Sequence, residues 1–378
     1  MGSEPIPYWR TRLGDAESAA VAESIAAGRL SQSGVTGAFE RELAAFLDVD
    51  HVVTTTSGSM ALYLATAGLG LGPGDEVIVP VRTFIATAHA VLLTGATVRL
   101  VDVKRDRTTI NPAGIAAAIT PRTAAILPVH LNGNGADLDA IRELARAHGL
   151  AVFEDAAQAF ASRALDGYLG TRTAAGCFSL GVTKLITTGQ GGFVATADGA
   201  LAERMRRFRS HGVDDTFDAD YDRFGFNLRF NDLLASIGRV QLTKVPAKIA
   251  AHRAFHAAYR DGLAGLDVVR LLDVDEAAGN VPLWAEAVIA DRDRALALLA
   301  ERGVQARRFL PNLSRAPHLG TFRDDDFPNA QRFAAHGIFL PSGPDMPPGT
   351  VERVCDALRA IAPQLRGELP PIAIPATP

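Results

Sequence analysis

The sequence predicts an α/β protein, with a seven-stranded, mostly parallel sheet followed by a smaller C-terminal α+β unit. Three observations predict it. Between about residues 50 and 200, short β-branched runs alternate with longer helical patterns, as consecutive βαβ units do. From about residue 246 the pattern turns to helices broken by short strand-like pieces. Hydrophobic residues make up 48% of the 378 and charged residues 21%, enough apolar material for a large core and too much for a disordered chain.

In chain order, strands are expected at 51–56, 76–80, 97–103, 124–130, 150–154, 176–180 and 192–196. A helix over 60–68 follows the first of them. Gly68, Gly70, Gly72 and Gly74 in GLGLGPGDE superficially resemble a dinucleotide-binding loop, but such a loop must follow a strand and open a helix. Here Pro73-Gly74-Asp75 follows a helix and precedes a strand, which predicts a helix-ending turn. The segment 136–148 (ADLDAIRELARAH) repeats apolar residues every three or four positions and meets a C-terminal stop at Gly149. Beyond residue 246, helices are expected at 249–263, 292–302 and 350–362, and strand-like pieces at 282–289 and 304–309. The chain is therefore divided into a large unit, 1–245, and a smaller one, 246–378, ending in a Pro-rich tail from Glu368.

Charge and composition exclude several function classes. The 38 basic and 42 acidic side chains leave a net charge of −4, which argues against nucleic acid as the main partner. No apolar run approaches the roughly 20 residues that span a bilayer, and residues 1–12 lack the features of a signal peptide, so no membrane association and a cytoplasmic location are expected. Cys177 and Cys355 lie far apart with no CxxC or Cys/His ligand spacing; neither a disulfide framework nor a metal site is expected, and both read as small buried side chains.

The residues that carry chemistry cluster at strand ends. The fifth strand runs into Phe153-Glu154-Asp155-Ala156-Ala157-Gln158, which sets two carboxylates at the carboxyl edge of a parallel sheet, where ligand sites of open α/β sheets lie. Lys184 follows Asp155 by 29 positions, flanked by Leu185 and Ile186 and just ahead of the Gly-rich return Gly189-Gln190-Gly191-Gly192. A lone lysine is ordinarily a surface residue, but one in such apolar surroundings can have its pKa lowered and serve as a Schiff-base nucleophile. Thr56-Ser57-Gly58-Ser59 brings hydroxyls and backbone N–H groups to a helix N-terminus, a ready anion site. Phe84 follows a strand end and can lay an aromatic face on a flat ring, and Ser179 can add a hydroxyl to the same anion. An acid, a lysine, a phosphate cradle and an aromatic plate are the parts that pyridoxal 5′-phosphate requires.

The order of SGSMAL, GPGDEVIVPVRTFIATAHAV, DVKRDRTTINP, AAITPRTAAILPVHLNG, HGLAVFEDAAQAF, GCFSLGVTKLITTGQGGFVAT, RSHGV and GFNLRFNDLLASIGRVQL resembles the DegT/DnrJ-type sugar aminotransferases, which are fold type I pyridoxal-phosphate enzymes. The resemblance runs from about residue 31 to 242, and FPNAQRFAAHGIFLPSGPDM resembles the family's C-terminal segment. It implies that Lys184 bonds the cofactor and moves the proton between donor and cofactor, that Asp155 pairs with the pyridinium nitrogen, and that Gln158 lies near the phenolic oxygen. It implies further that Phe84 stacks on the ring, that Gly58, Ser59 and Ser179 hold the phosphate beside Ser57 of the same turn, and that Asn227 reaches the phosphate of a neighbouring subunit. A homodimer with shared active sites follows from the last point.

The resemblance also implies two substrates: an amino-acid donor, most often L-glutamate, and a keto group on a nucleotide-linked 3- or 4-keto-6-deoxyhexose. Arg229 is a candidate contact for the substrate diphosphate. Gln190 stands where many relatives carry Glu, Phe160 where many carry His, and 307–314 departs from the family's usual loop; all three bear on the substrate pocket. Gln190 and the 307–314 loop keep open L-glutamine-dependent transamination of a cyclitol or other ketone in secondary metabolism. A non-catalytic, cofactor-binding regulatory partner is the reading from another class, against which Lys184 and Asp155 speak, and a lysine at 184 also speaks against the family's dehydratases. Arg204, Arg206, Arg207 and Arg209 read as a solvated helix face.

Overall fold

Strand β1 (His51–Thr55) leads into a helix at 58–68, and β2 (Glu76–Pro80), β3 (Thr97–Val101) and β4 (Thr123–Ile126) follow as successive βαβ units through the helices at 86–93, 112–118 and 138–148. The structure, a computed structural model, describes residues 4–214, 220, 221 and 223–370. Of the tail expected from Glu368, residues 371–378 lie outside the described residues. The helices of the first two-thirds are α1 (Asp15–Ala26), α2 (Gly34–Leu47), α3 (Gly58–Gly68), α4 (Ala86–Leu93), α5 (Pro112–Ala118), α6 (Leu138–His148), α7 (Gly199–Arg209) and α8 (Asp232–Thr243).

The expected fifth strand is one path in two pieces, β5 (Ala151–Val152) and β6 (Glu154–Asp155), interrupted at Phe153. After it come a short hairpin, β7 (Arg163–Ala164) with β8 (Gly167–Tyr168), and then β9 (Gly176–Ser179) and β10 (Gly192–Thr196). β5 pairs with β4 and β6 with β9, so the sheet reads β3-β2-β4-β5/β6-β9-β10-β1. The Phe153 N–H still donates to Ile126 O at 3.2 Å and that of Glu154 to Ala175 O at 2.8 Å, which carries the sheet across the break. β10 alone runs antiparallel to both neighbours; the other pairings are parallel. Seven strand positions thus fall where the sequence places them, and Asp155 ends the fifth strand rather than following it.

Every residue of β2 and of β10 is buried, because helices cover both faces of this part of the sheet. Val77, Val79 and Val194 pack against Ala61, Leu64 and Ala65 of α3 and Val91 of α4, while Ile78 and Ile126 face Ile115 and Ile141 of α5 and α6. Each such side chain contributes about 1.5–3 kcal/mol on burial. A stacked pair, Phe178 and Phe193, with ring centroids 4.6 Å apart, ties β9 to β10. Phe160 lies 5.2 Å from Phe46 and edge-on to Phe178 and Phe193, so it is core packing and not a wall of the substrate pocket.

Gly149 caps α6 at φ +66°, and Gly70 and Gly74 (φ +77° and +98°) form the turn after α3, where the Gly72 N–H donates to Asp75. Arg209 corrects the solvated-face reading of its cluster: it is 4% exposed and donates from Nη1 to Glu40 (2.6 Å) and to Thr54 O (2.8 Å), pinning α7 to α2 and β1. Cys177 and Cys355 are free and buried, as expected.

The last third holds α9 (Val245–Gly262), α10 (Arg292–Glu301), α11 (Pro328–His336) and α12 (Thr350–Ile361) around a second, antiparallel sheet. Its strands are β11 (Val269–Leu271), β12 (Ala285–Ile289), β13 (Arg307–Arg308) and β14 (Gly337–Leu340), in the order β11-β12-β14-β13. The expected strands 282–289 and 304–309 are shorter here, at 285–289 and 307–308. The N-terminal segment joins this part of the molecule, since Ile6 bridges to Val304 and Trp9 to Ser342. Among the described residues no helix is long and apolar enough to cross a membrane.

Candidate active site

The carboxyl ends of β1, β2, β6 and β9 open on one cavity of about 460 Å³, closed on its far side by residues of the second sheet and the N-terminal segment. Its walls bring together Ser57, Gly58, Ser59, Phe84, Asp155, Gln158, Ser179, Lys184 and Gln190. Asn227 and Arg229 are not among them: Asn227 is exposed, bridged to Ser210, and its Oδ1 accepts from Arg229 Nε at 3.3 Å.

Asp155 is 4% exposed and held from two sides. Thr87 Oγ1 donates to Oδ2 at 2.8 Å, itself backed by Thr83 at 2.9 Å, and the Ala157 N–H donates to Oδ1 at 3.1 Å. Burial nevertheless wins and raises its pKa, against these hydrogen bonds and the positive charge of Lys184. A carboxylate in that position gains from a cationic N–H placed against it, as a protonated ring nitrogen would be.

Glu154, one residue earlier, points to the other face and is fully satisfied. His130 Nε2 lies 2.7 Å from Oε2, and the N–H groups of Gly170 and Arg172 and the Thr173 hydroxyl also donate to this carboxylate. The Ala136 N–H donates to His130 Nδ1, so the ring hydrogen sits on Nε2 and faces Glu154. Burial pushes Glu154 up, but those donors together hold it below the ordinary carboxylate range. Of the two adjacent carboxylates, Glu154 is structural and Asp155 faces the cavity.

Lys184 sits in a turn anchored by buried Leu185 and Ile186, its N–H donating to Gly181 O at 3.1 Å. Its ammonium lies 5.2 Å from the centroid of the Trp284 ring. Burial lowers its pKa to about 8, with Asp155 acting in the opposite direction. Only the neutral amine attacks a carbonyl, so capture of pyridoxal phosphate by the cofactor-free protein should accelerate roughly tenfold from pH 7 to pH 9 and then level off. An unperturbed lysine gives a rise of roughly a hundredfold over the same interval. Stopped-flow absorbance across pH distinguishes the two slopes.

The anion cradle follows from close backbone approach. Ser57 caps α3, its Oγ accepting from the Met60 N–H at 3.2 Å. A Cβ on Gly58 would lie 2.7 Å from Ser179 Cβ, so glycine there is what lets the end of β9 meet the start of α3. The hydroxyls of Ser57, Ser59 and Ser179 and the first N–H groups of α3 therefore converge on one spot, as a phosphate requires. Phe84, half exposed, lines the same cavity from the segment before α4. Gln158 is oriented by the Asn132 N–H, which donates to its Oε1 at 2.8 Å and leaves its NH₂ as the free donor. Asn132, at φ +53°, also accepts from the N–H groups of Leu283 and Trp284, fastening the start of β12 to this edge. These groups fit pyridoxal phosphate end to end: cradle, plate, lysine and buried acid in one space.

Of the far wall, the sequence flags only 307–314, as a departure from the family's usual loop. Tyr8, Arg82, Trp284, Glu286, Arg307 and Arg308 come from four separated stretches of the chain and meet only in the folded protein. A further available signal is Arg82 in VPVRTF, two residues from Phe84 on the same strand end.

Comparison with known proteins agrees with this geometry. The model of the DegT/DnrJ/EryC1/StrS aminotransferase family matches residues 11–359. The chain is 38% identical over 347 residues to dTDP-3-amino-3,4,6-trideoxy-alpha-D-glucose transaminase of Streptomyces venezuelae, covering 90% of each protein. It is 35% identical over 326 residues to GDP-perosamine synthase of Caulobacter vibrioides, covering 85% of this chain and 88% of that protein. Among solved structures it resembles S. venezuelae DesV in complex with a ketimine intermediate, with a TM-score of 0.91, 35% identity and coverage of 96% of this chain and all of that one. The chain belongs to the DegT/DnrJ/EryC1/StrS aminotransferase family and is an aminotransferase of fold type I.

Proposed function

We propose that the protein uses pyridoxal 5′-phosphate to move an amino group from L-glutamate to a keto group of a nucleotide-linked deoxysugar, a 3- or 4-keto-6-deoxyhexose. The observation that carries this reading is the convergence of Lys184, Asp155 and the α3 N-terminus on one cavity. The names of the relatives support the acceptor class. When bound, the cofactor supplies an electron sink for the carbon that loses its proton.

The chain's own residues do the rest. Ser57, Ser59, Ser179 and the N–H groups of α3 hold the phosphate; Phe84 covers one ring face; Gln158 donates from its NH₂ to the phenolic oxygen. Asp155 keeps a proton at the ring nitrogen, which its burial beside Thr87 suits it to do. The Lys184 amine, once released by the incoming donor, removes the α-proton and later returns one to the acceptor carbon. Its pKa of about 8 puts both protonation states within reach near neutral pH.

The protein acts as a homodimer in which Asn227 and Arg229 serve the partner's site. The exposed Tyr221, Phe224 and Phe226 beside them support a covered face there. Residues 1–245 hold the cofactor and 246–378 close over the acceptor. The test is to load the protein with pyridoxal phosphate, add L-glutamate or L-glutamine, and follow the visible band before supplying a dTDP-linked keto-6-deoxyhexose. Loss of the band with L-glutamate and an aminated sugar nucleotide by mass spectrometry are expected. A band that responds only to L-glutamine, or a sugar nucleotide left unchanged, contradicts the reading.

A further inference from the structure

Arg82 and Glu286 face each other in the far wall of the cavity and are 4% and 2% exposed. They form only a long ion pair, with no hydrogen bond between them. Arg82 Nη2 stands 3.9 Å from Glu286 Oε1, beyond hydrogen-bond reach, and Arg82 Nε is buried with no partner. The guanidinium lies over the Phe309 ring at 4.0 Å, which fixes its plane. A buried cation without a hydrogen-bonded counter-ion costs the fold stability, and a planar fork held on an aromatic ring matches a carboxylate.

The other cations lining the cavity are accounted for. Lys184 has the cofactor, and Arg307 and Arg308 are exposed at the mouth. The phosphate belongs to the α3 N-terminus. A donor amino acid must bring its α-carbon to Lys184 while its α-carboxylate finds a cation shielded from water. Among the described residues lining the cavity, Arg82 is the buried cation left for it, while Arg229, given above to a partner's site, goes with the acceptor's diphosphate.

We propose that Arg82 is the carboxylate clamp for the amino-acid donor, with Glu286 as its gate. Resting on the transaminase reading above, this assigns the donor's α-carboxylate to the Arg82 fork, where it replaces the distant Glu286 as counter-ion. Glu286 must then be neutral or swing away. Burial raises its pKa to about 7, while Arg82 and Asn132 act to lower it, so the proton is available near neutrality. The other charged or titratable groups facing it are Tyr8, whose hydroxyl is pushed up by burial and by Glu286 itself, and Arg307, whose guanidinium lies 4.8 Å from the centroid of the Tyr8 ring. Carboxylate affinity should therefore fall as pH rises through about 7, where Glu286 takes its charge.

Calorimetry on the pyridoxal-phosphate-loaded protein tests this with glutarate, an unreactive dicarboxylate of the donor's length, and with thymidine diphosphate as probe of the acceptor's nucleotide end. Arg82→Gln should weaken glutarate about 10–100-fold, the range for a lost charged hydrogen-bonded contact, and leave thymidine diphosphate within twofold. Arg82→Lys keeps the charge without the fork and should fall between. Glu286→Gln should bind glutarate several-fold tighter than wild type at pH 8 and lose the pH dependence. Glutarate binding that is absent in wild type, unchanged in Arg82→Gln, or lost together with thymidine diphosphate binding overturns the proposal. If Arg82-dependent glutarate binding stands while no amino acid alters the cofactor band, the clamp survives and the transaminase reading fails.

Discussion

Replacing Lys184 with alanine is expected to reduce amino transfer toward the upper end of the roughly 10²–10⁴-fold range for loss of a positioned proton-transfer group. The cradle at Ser57–Ser59 and Ser179, the Phe84 plate and Asp155 are untouched by the change, so the variant should still bind pyridoxal phosphate, now without a covalent bond. Its absorbance should be that of the free aldehyde. Lys184 packs against Trp284 from a turn anchored by Leu185 and Ile186, and truncation beyond Cβ leaves that anchor in place. Small primary amines added to the buffer should enter the space and restore part of the rate, a rescue that a purely structural lysine would not show. Full activity in Lys184→Ala contradicts the mechanism outright.

Asp155→Asn carries the second largest expected effect, a loss of about 10²–10³-fold in the donor half-reaction, comparable to removing one well-placed electrostatic group. The shape is conserved: the amide oxygen can still accept from the Ala157 N–H, and the Thr87 hydroxyl can turn to accept from the new NH₂. What disappears is the negative charge that keeps a proton on the ring nitrogen. The loss should therefore appear in the rate of proton removal and much less in thermal stability. Single-turnover kinetics with L-glutamate beside a melting curve separates the two. A melting temperature that collapses while the single-turnover rate holds would assign Asp155 to the fold and not to the chemistry.

Much of this architecture is legible in the linear chain because the signal is local. Runs such as EVIVP and GFVAT are apolar and β-branched between turn residues, and the ADLDAIRELARAH pattern carries its own stripe and stop. The half of the site that sits on the ends of those strands is legible for the same reason, since Asp155, Lys184 and the Ser57–Ser59 turn each stand at a strand end. What was not legible is long-range. α1 (DAESAAVAESIA) is rich in alanine and polar residues and has little apolar stripe to read, and it is fastened instead by Glu17 to Lys244 and to Gln241, the latter at 2.7 Å. Arg209 looks like one more arginine on a basic helix until Glu40 and Thr54 are brought against it. Arg82, Trp284 and Glu286 become a wall only when β12 is fastened to the large sheet through Asn132; the Asn-Gly pair at 132–133 signals a turn but not its long-range partners.

The most direct test of the account is to locate the covalent bond itself. The purified protein is loaded with pyridoxal phosphate, reduced with sodium borohydride to fix any C=N bond, digested, and mapped by mass spectrometry. The account predicts one phosphopyridoxyl group, on the peptide carrying Lys184, formed at near-stoichiometric yield and suppressed when L-glutamate is added before reduction. A label on another lysine, or none on Lys184 in protein that has bound the cofactor, contradicts it.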